Sequence, residues 1–196
     1  MTLPMKHKLG LVGAALAVIA LLLTGCIAIS VYPFYSDKDV LFDSALLGQW
    51  TNTTNLKEHW IFEKQGQQAY HLSYAESDKT CAMDAHLFHL NDQLFLDLFT
   101  TKIPDDIMPP PIPTHLVMRV FQVKPTLRMA VMDYDWLTKL VEHNPGAIRH
   151  HVIVTGEDGK NSQIVLTADT AELQSFILKH LKTEEAWKDS FELRRN

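Results

Sequence analysis

The sequence predicts a mainly β domain, an antiparallel meander forming a barrel or half-barrel with two short-to-medium helices. Three observations carry this. Short segments of alternating apolar and polar residues follow one another, turn-forming residues separate them closely, and only two stretches switch to helical spacing. A length of 196 residues with 46% hydrophobic and 21% charged residues suits a single globular domain.

The alternating segments fall at 48–52, 58–63, 69–74, 81–90, 94–99, 115–123 and 126–132. Side chains two apart on a strand share a face, so Tyr70, Leu72 and Tyr74 oppose His71 and Ser73, while Leu116, Met118 and Val120 oppose His115 and Arg119. Lys64-Gln65-Gly66, Glu76-Ser77-Asp78, Leu90-Asn91-Asp92 and Lys124-Pro125 are turn signals whose close spacing implies hairpins. Asp158-Gly159 marks another hairpin between 149–155 and 163–167. The runs 150–154 and 164–166 are apolar on both faces, which places them centrally or beneath a covering helix.

The first helix, 135–143, sets Trp136, Leu137, Leu140 and Val141 on one face. Asp133 or Asp135 caps it, and Asn144-Pro145-Gly146 ends it. In the second, 170–182, Leu173, Phe176, Ile177 and Leu181 share a side, and Asp169 with Glu172 has capping-box spacing. Residues 191–195 form a closing strand. Pro104, Pro109, Pro110, Pro111 and Pro113 exclude regular structure from 100–114, a loop that is either a functional edge or a plain surface excursion.

Ahead of this body, Lys6, His7 and Lys8 precede an apolar run from Leu9 to Leu23 that closes with Leu23-Thr24-Gly25-Cys26, the layout of a secretory signal peptide. That tetrapeptide resembles the lipobox of bacterial lipoproteins. The resemblance implies cleavage after Gly25 and acylation of Cys26, whose chains anchor the mature protein without spanning the membrane. The competing reading is an uncleaved transmembrane helix, because apolar character continues through Val31. The domain organisation expected is a signal peptide at 1–25, a lipidated N-terminus and tether at 26–43, and one β-rich domain at 44–196. Tyr32, Phe34 and Tyr35 either rest in the headgroup layer or pack as the domain's first layer. Ile27, rather than aspartate, follows the cysteine, which by the same resemblance implies the periplasmic face of the outer membrane in a Gram-negative envelope.

Gly48-Gln49-Trp50 opening a first strand, a hairpin meander, then a helix and a terminal strand resemble the calycin or lipocalin group, some of whose bacterial members are outer-membrane lipoproteins. The resemblance implies that Trp50 is structural, closing the base of the barrel against an arginine on the last strands. Met132-Asp133-Tyr134 is similar to the group's second motif, Thr-Asp-Tyr, with Met132 in place of threonine and a helix following in place of a strand. The stretches 31–39 and 47–50 are also similar to uncharacterised bacterial lipoproteins, which implies no activity.

Charge narrows the partners. With 18 Lys and Arg against 23 Asp and Glu, and no acid in the first 25 residues, the mature body is acidic, which excludes a dedicated nucleic-acid binder. Cys26 and Cys81 are the only cysteines, so no disulfide scaffold exists, and Cys81 reads as a small buried side chain. Although there are ten histidines, His86 with His89 and His150 with His151 point to opposite strand faces, so neither pair chelates a metal. No Gly-x-Ser-x-Gly, His-Glu-x-x-His or phosphate-cradling glycine loop is present, and Asp133 and Asp135 are wanted as helix caps. The chain reads as no enzyme, with no catalytic residues, metal or cofactor.

Two functions fit. In one, an apolar lumen lined by Tyr70, Leu72, Tyr74, Leu87, Leu96 and Met118 holds a lipid or small hydrophobic molecule, which requires a cavity of about 300 Å³ or more. In the other, the same side chains fill the interior and the domain is structural or meets protein partners.

Overall fold

The computed structural model describes residues 27–100, 112–155 and 161–196. The signal segment, Cys26 and prolines 104–111 of the long loop lie outside the described residues. Two short strands come first, β1 (Ile29–Ser30) and β2 (Val40–Leu41). The meander follows as β3 (Gly48–Asn52), β4 (Glu58–Gln65), β5 (Ala69–Glu76), β6 (Lys79–Leu90), β7 (Gln93–Thr100), β8 (His115–Gln122) and β9 (Leu127–Val131). Each pairs antiparallel with the next. The last strand, β12 (Ser190–Arg195), inserts between β9 and β3, closing an eight-stranded antiparallel barrel.

Alternation drives this closure. On β5 the side chains of Tyr70 and Leu72 point inward, and the register carries their face round the wall, Phe62 opposite Leu72 and Ala85 opposite Tyr70. A slip of one residue would turn that whole apolar face to solvent. The two-residue turns beyond β5 and β6 place Ser77 (φ 56°) and Asn91 (φ 53°) in the left-handed region, the geometry that matches strand twist in tight hairpins.

Between β9 and β12 the chain makes an excursion: α1 (Tyr134–His143), β10 (His150–Thr155), β11 (Asn161–Leu166) and α2 (Thr170–Lys179). Asp133 caps α1, accepting from the Trp136 amide at 2.7 Å, and Asp169 caps α2, accepting from the Glu172 amide at 3.0 Å. The second helix stops at Lys179, short of residue 182, with His180 as its C-cap. Hairpin β10–β11 joins the barrel through β1, which lies parallel to β11 and antiparallel to β8. Two cores result. One fills the barrel. The other lies outside it, where Phe88, Phe95, Val117 and Ala130 on the wall's outer face meet Leu137, Val141, Leu173, Phe176 and Ile177 of the helices.

Two expectations are corrected. Residues 27–43 are no tether: Ala28, Ser30 and Phe34 are fully buried, β1 and β2 pair with barrel strands, and Gln174 Nε2 donates to the Phe34 carbonyl at 3.1 Å. The segment covers the apolar outer face of β6 to β8, which would otherwise meet water. Nor is β10 central. It is the edge of the sheet, with Val152 43%, Ile153 45% and Val154 63% exposed, and only β11 takes the covered position.

Candidate functional site

The barrel interior is the first place to seek a ligand. Trp50, Phe62, Tyr70, Leu72, Leu87, Leu96, Leu127 and Met129 all point into it with at most 1% of their surface exposed. A void able to hold even one water against these side chains would appear as exposed surface, so these eight side chains enclose no such space. Of the six residues expected to line a lumen, Tyr70, Leu72, Leu87, Leu96 and Met118 do converge there, while Tyr74 stands half-buried nearer the rim. They meet one another and the surrounding rings rather than a cavity. Phe62 meets Tyr70 edge-on with ring centres 6.2 Å apart, and Trp60 meets Tyr74 edge-on at 5.4 Å. The Tyr70 hydroxyl accepts from the Asp43 amide at 2.7 Å and donates to the Asp43 carbonyl at 3.0 Å; burial pushes its pKa up to about 12.

The base is plugged. A 3-10 turn at Ser44–Leu46, capped by Asp43, lies across it, and the Trp50 indole N–H donates to the Leu46 carbonyl at 2.9 Å. The Arg195 guanidinium sits 4.5 Å from the Trp50 ring centre and donates to the Ala45 carbonyl. Gly48 has φ +113°, and a Cβ there would come within 3.3 Å of the guanidinium, so glycine admits the arginine. Trp50 thus packs against an arginine of the last strand. The second motif is used differently, since Met132-Asp133-Tyr134 leads into α1.

The opposite end carries a polar ring. Glu58 accepts from the Trp60 indole at 2.8 Å and from Asn52 at 2.7 Å, while Glu76 accepts from Asn55 at 2.8 Å and from the Tyr74 hydroxyl at 3.1 Å. Burial, then the charges of Glu58 and Glu76, push the Tyr74 pKa up, so the hydroxyl stays a donor. Cys81 lies opposite Tyr74 in the register, half-buried, and burial raises its pKa. The protonated thiol is a poor nucleophile.

On the outer wall, beneath residues 27–43, Asp97 is wholly buried. Its Oδ1 is 2.7 Å from His115 Nδ1, and its Oδ2 accepts from the Phe34 amide at 2.9 Å. Both oxygens thus bind other segments, and the carboxylate ties the N-terminal segment to β7 and β8. Strand alternation puts residue 97 on the outer face, but nothing local names partners 18 and 63 residues away. Nearby, His86 stacks on Tyr35 with ring centres 4.4 Å apart, its buried Nδ1 has no hydrogen-bond partner among the described residues, and burial lowers its pKa from 6.5. The unfolded chain therefore takes up the proton more readily. The contribution of neutral His86 is complete above that ordinary pKa and is lost as pH falls below it. Thermal melts at pH 5 and 7 are expected to show an acid-induced loss of stability that is smaller in His86→Phe; an identical loss in the variant would exclude His86 as a source.

Two shallow hollows lie outside the barrel, one of about 440 Å³ beside Tyr35, His86 and the turn at 65–69, the other of about 300 Å³ beside Arg149, His150 and Glu172. Neither opens into the interior. Among the described residues no group of three or more His, Cys, Asp or Glu side chains is placed to hold a metal ion, and no described helix is long and apolar enough to cross a membrane. Compared with protein-family models, with curated proteins and with solved structures, the chain matches none.

Proposed function

We propose that the chain is a non-enzymatic lipoprotein of the bacterial cell envelope, held at the periplasmic face of the outer membrane by acyl chains on Cys26. Its barrel is a packed scaffold that meets other envelope components through its outer surface. The observation that carries the choice between container and scaffold is the near-complete burial of the central inward-facing side chains, among them Trp50, Phe62, Tyr70, Leu72, Leu87 and Leu96. A lumenal lipid would have to displace rings such as Trp60 and Phe62, which stack with their centres 6.2 Å apart. The signal layout and Leu23-Thr24-Gly25-Cys26 support the anchor. Acyl chains then hold the protein firmly, each buried methylene contributing about 0.8 kcal/mol.

Two experiments test this. Replacing Cys26 with alanine is expected to remove the protein from the membrane fraction once its signal is processed; a processed variant that still sediments with membranes contradicts the anchor. Organic extraction of natively purified protein, followed by mass spectrometry, is expected to yield no stoichiometric lipid beyond the covalent chains. A stoichiometric lipid would make the barrel a carrier instead.

A further inference from the structure

We propose that hairpin β10–β11 is a second membrane contact, lying in the headgroup layer beside the acylated N-terminus and fixing the orientation of the barrel. The inference rests on the anchoring reading above. Its starting point is the missing tether. Ile27 bridges to Asp133, and its carbonyl accepts from Gln163 Nε2 of β11 at 2.9 Å. Cys26 directly precedes Ile27 in the sequence, so the sheet already holds the first residue after the anchor.

The register then places the anchor beside the apolar edge. Gln163 pairs with Ile153, flanked by Val152 opposite Ile164 and Val154 opposite Ser162. With strands about 4.8 Å apart, Ile27, the residue that follows Cys26 in the sequence, lies within roughly 10 Å of Ile153. Because β1 runs parallel to β11, its N-terminal end points the same way as the start of β11, toward the turn of the hairpin. The bilayer surface must therefore pass close to Val152, Ile153 and Val154, three consecutive exposed β-branched residues.

Chemistry sets the depth. Among the described residues only β11 pairs with β10, so the outer backbone edge of β10 still needs hydrogen-bonding partners, which hydrocarbon does not supply. That need suits the hydrated headgroup layer, where the exposed aliphatic side chains of β10 reach the acyl boundary. An unprotected apolar edge also invites a partner strand, and the test separates that case.

Full-length protein made with its own signal sequence carries Cys81→Ser with Ile153→Cys, or with Asp78→Cys as control. Residue 78 is exposed, in the turn between β5 and β6, at the end of the barrel opposite to the one toward which the N-terminal end of β1 points. The introduced thiol is labelled with an NBD fluorophore, and the protein is reconstituted in phosphatidylethanolamine–phosphatidylglycerol vesicles. Nitroxide-headgroup lipid is expected to quench the label at 153 about two-fold or more and to leave the label at 78 unchanged. Absence of quenching at 153 in protein whose mass confirms acylated Cys26 overturns the hairpin contact and leaves the anchor intact. Unquenched emission at 153 that shifts with protein concentration overturns it in favour of strand pairing with a second copy. A mass without acyl chains removes the anchoring reading and this inference together.

Discussion

Trp50→Ala is expected to lower the folding free energy by about 3–5 kcal/mol, the usual cost of deleting a buried aromatic side chain. For a domain whose whole stability is of the order of 5–15 kcal/mol, that leaves it near unfolding. Trp50 is fully buried, donates to Leu46, and lies under Arg195, so one deletion opens a cavity, frees a buried carbonyl and strips the guanidinium of its stacking face. Trp50→Phe is expected to cost less, about 1–2 kcal/mol, because the ring stays and the N–H is lost. Denaturant unfolding followed by circular dichroism measures both. A loss under about 1 kcal/mol for the alanine variant would mean that the base of the barrel is not closed by this residue.

Asp97→Ala is expected to cost about 3 kcal/mol, because it strands two buried groups at once, the Phe34 amide and the His115 ring nitrogen. Asp97→Asn keeps one acceptor oxygen and is expected to recover part of that loss. The effect also has a location. Asp97 ties residues 27–43 to the wall, so in the alanine variant amide exchange and proteolysis should accelerate first around Phe34 and Tyr35, before the barrel strands open. Uniform acceleration across the chain would show that the carboxylate stabilises the wall and not the strap.

The barrel strands are legible in the sequence because burial on one face forces period-two alternation, as at Tyr70, Leu72 and Tyr74. Closure is less so. β12 pairs with both β9 and β3 only after an excursion of two helices and a hairpin, and residues 191–195 carry no local mark of either partner. Trp50 is legible as a structural residue through Gly-x-Trp, while Arg195 becomes identifiable only once β12 is placed. The edge position of β10 is hidden for a different reason: a run apolar on both faces looks alike in the middle of a sheet and on an uncovered margin. The strap at 27–43 is hidden because its burial rests on single residues, Ala28, Ser30 and Phe34, with no repeating period. Whether a barrel is hollow or filled is likewise not written in alternation, which specifies which residues point inward and not the volume they leave.

Membrane anchoring depends on the chemistry of Cys26, and the intact mass of the mature protein purified from membranes tests that most directly. The predicted result is a chain beginning at Cys26 and heavier than its amino-acid sequence by the mass of a diacylglyceryl group and an amide-linked acyl chain. A chain that still begins at Met1 with an unmodified cysteine would contradict it.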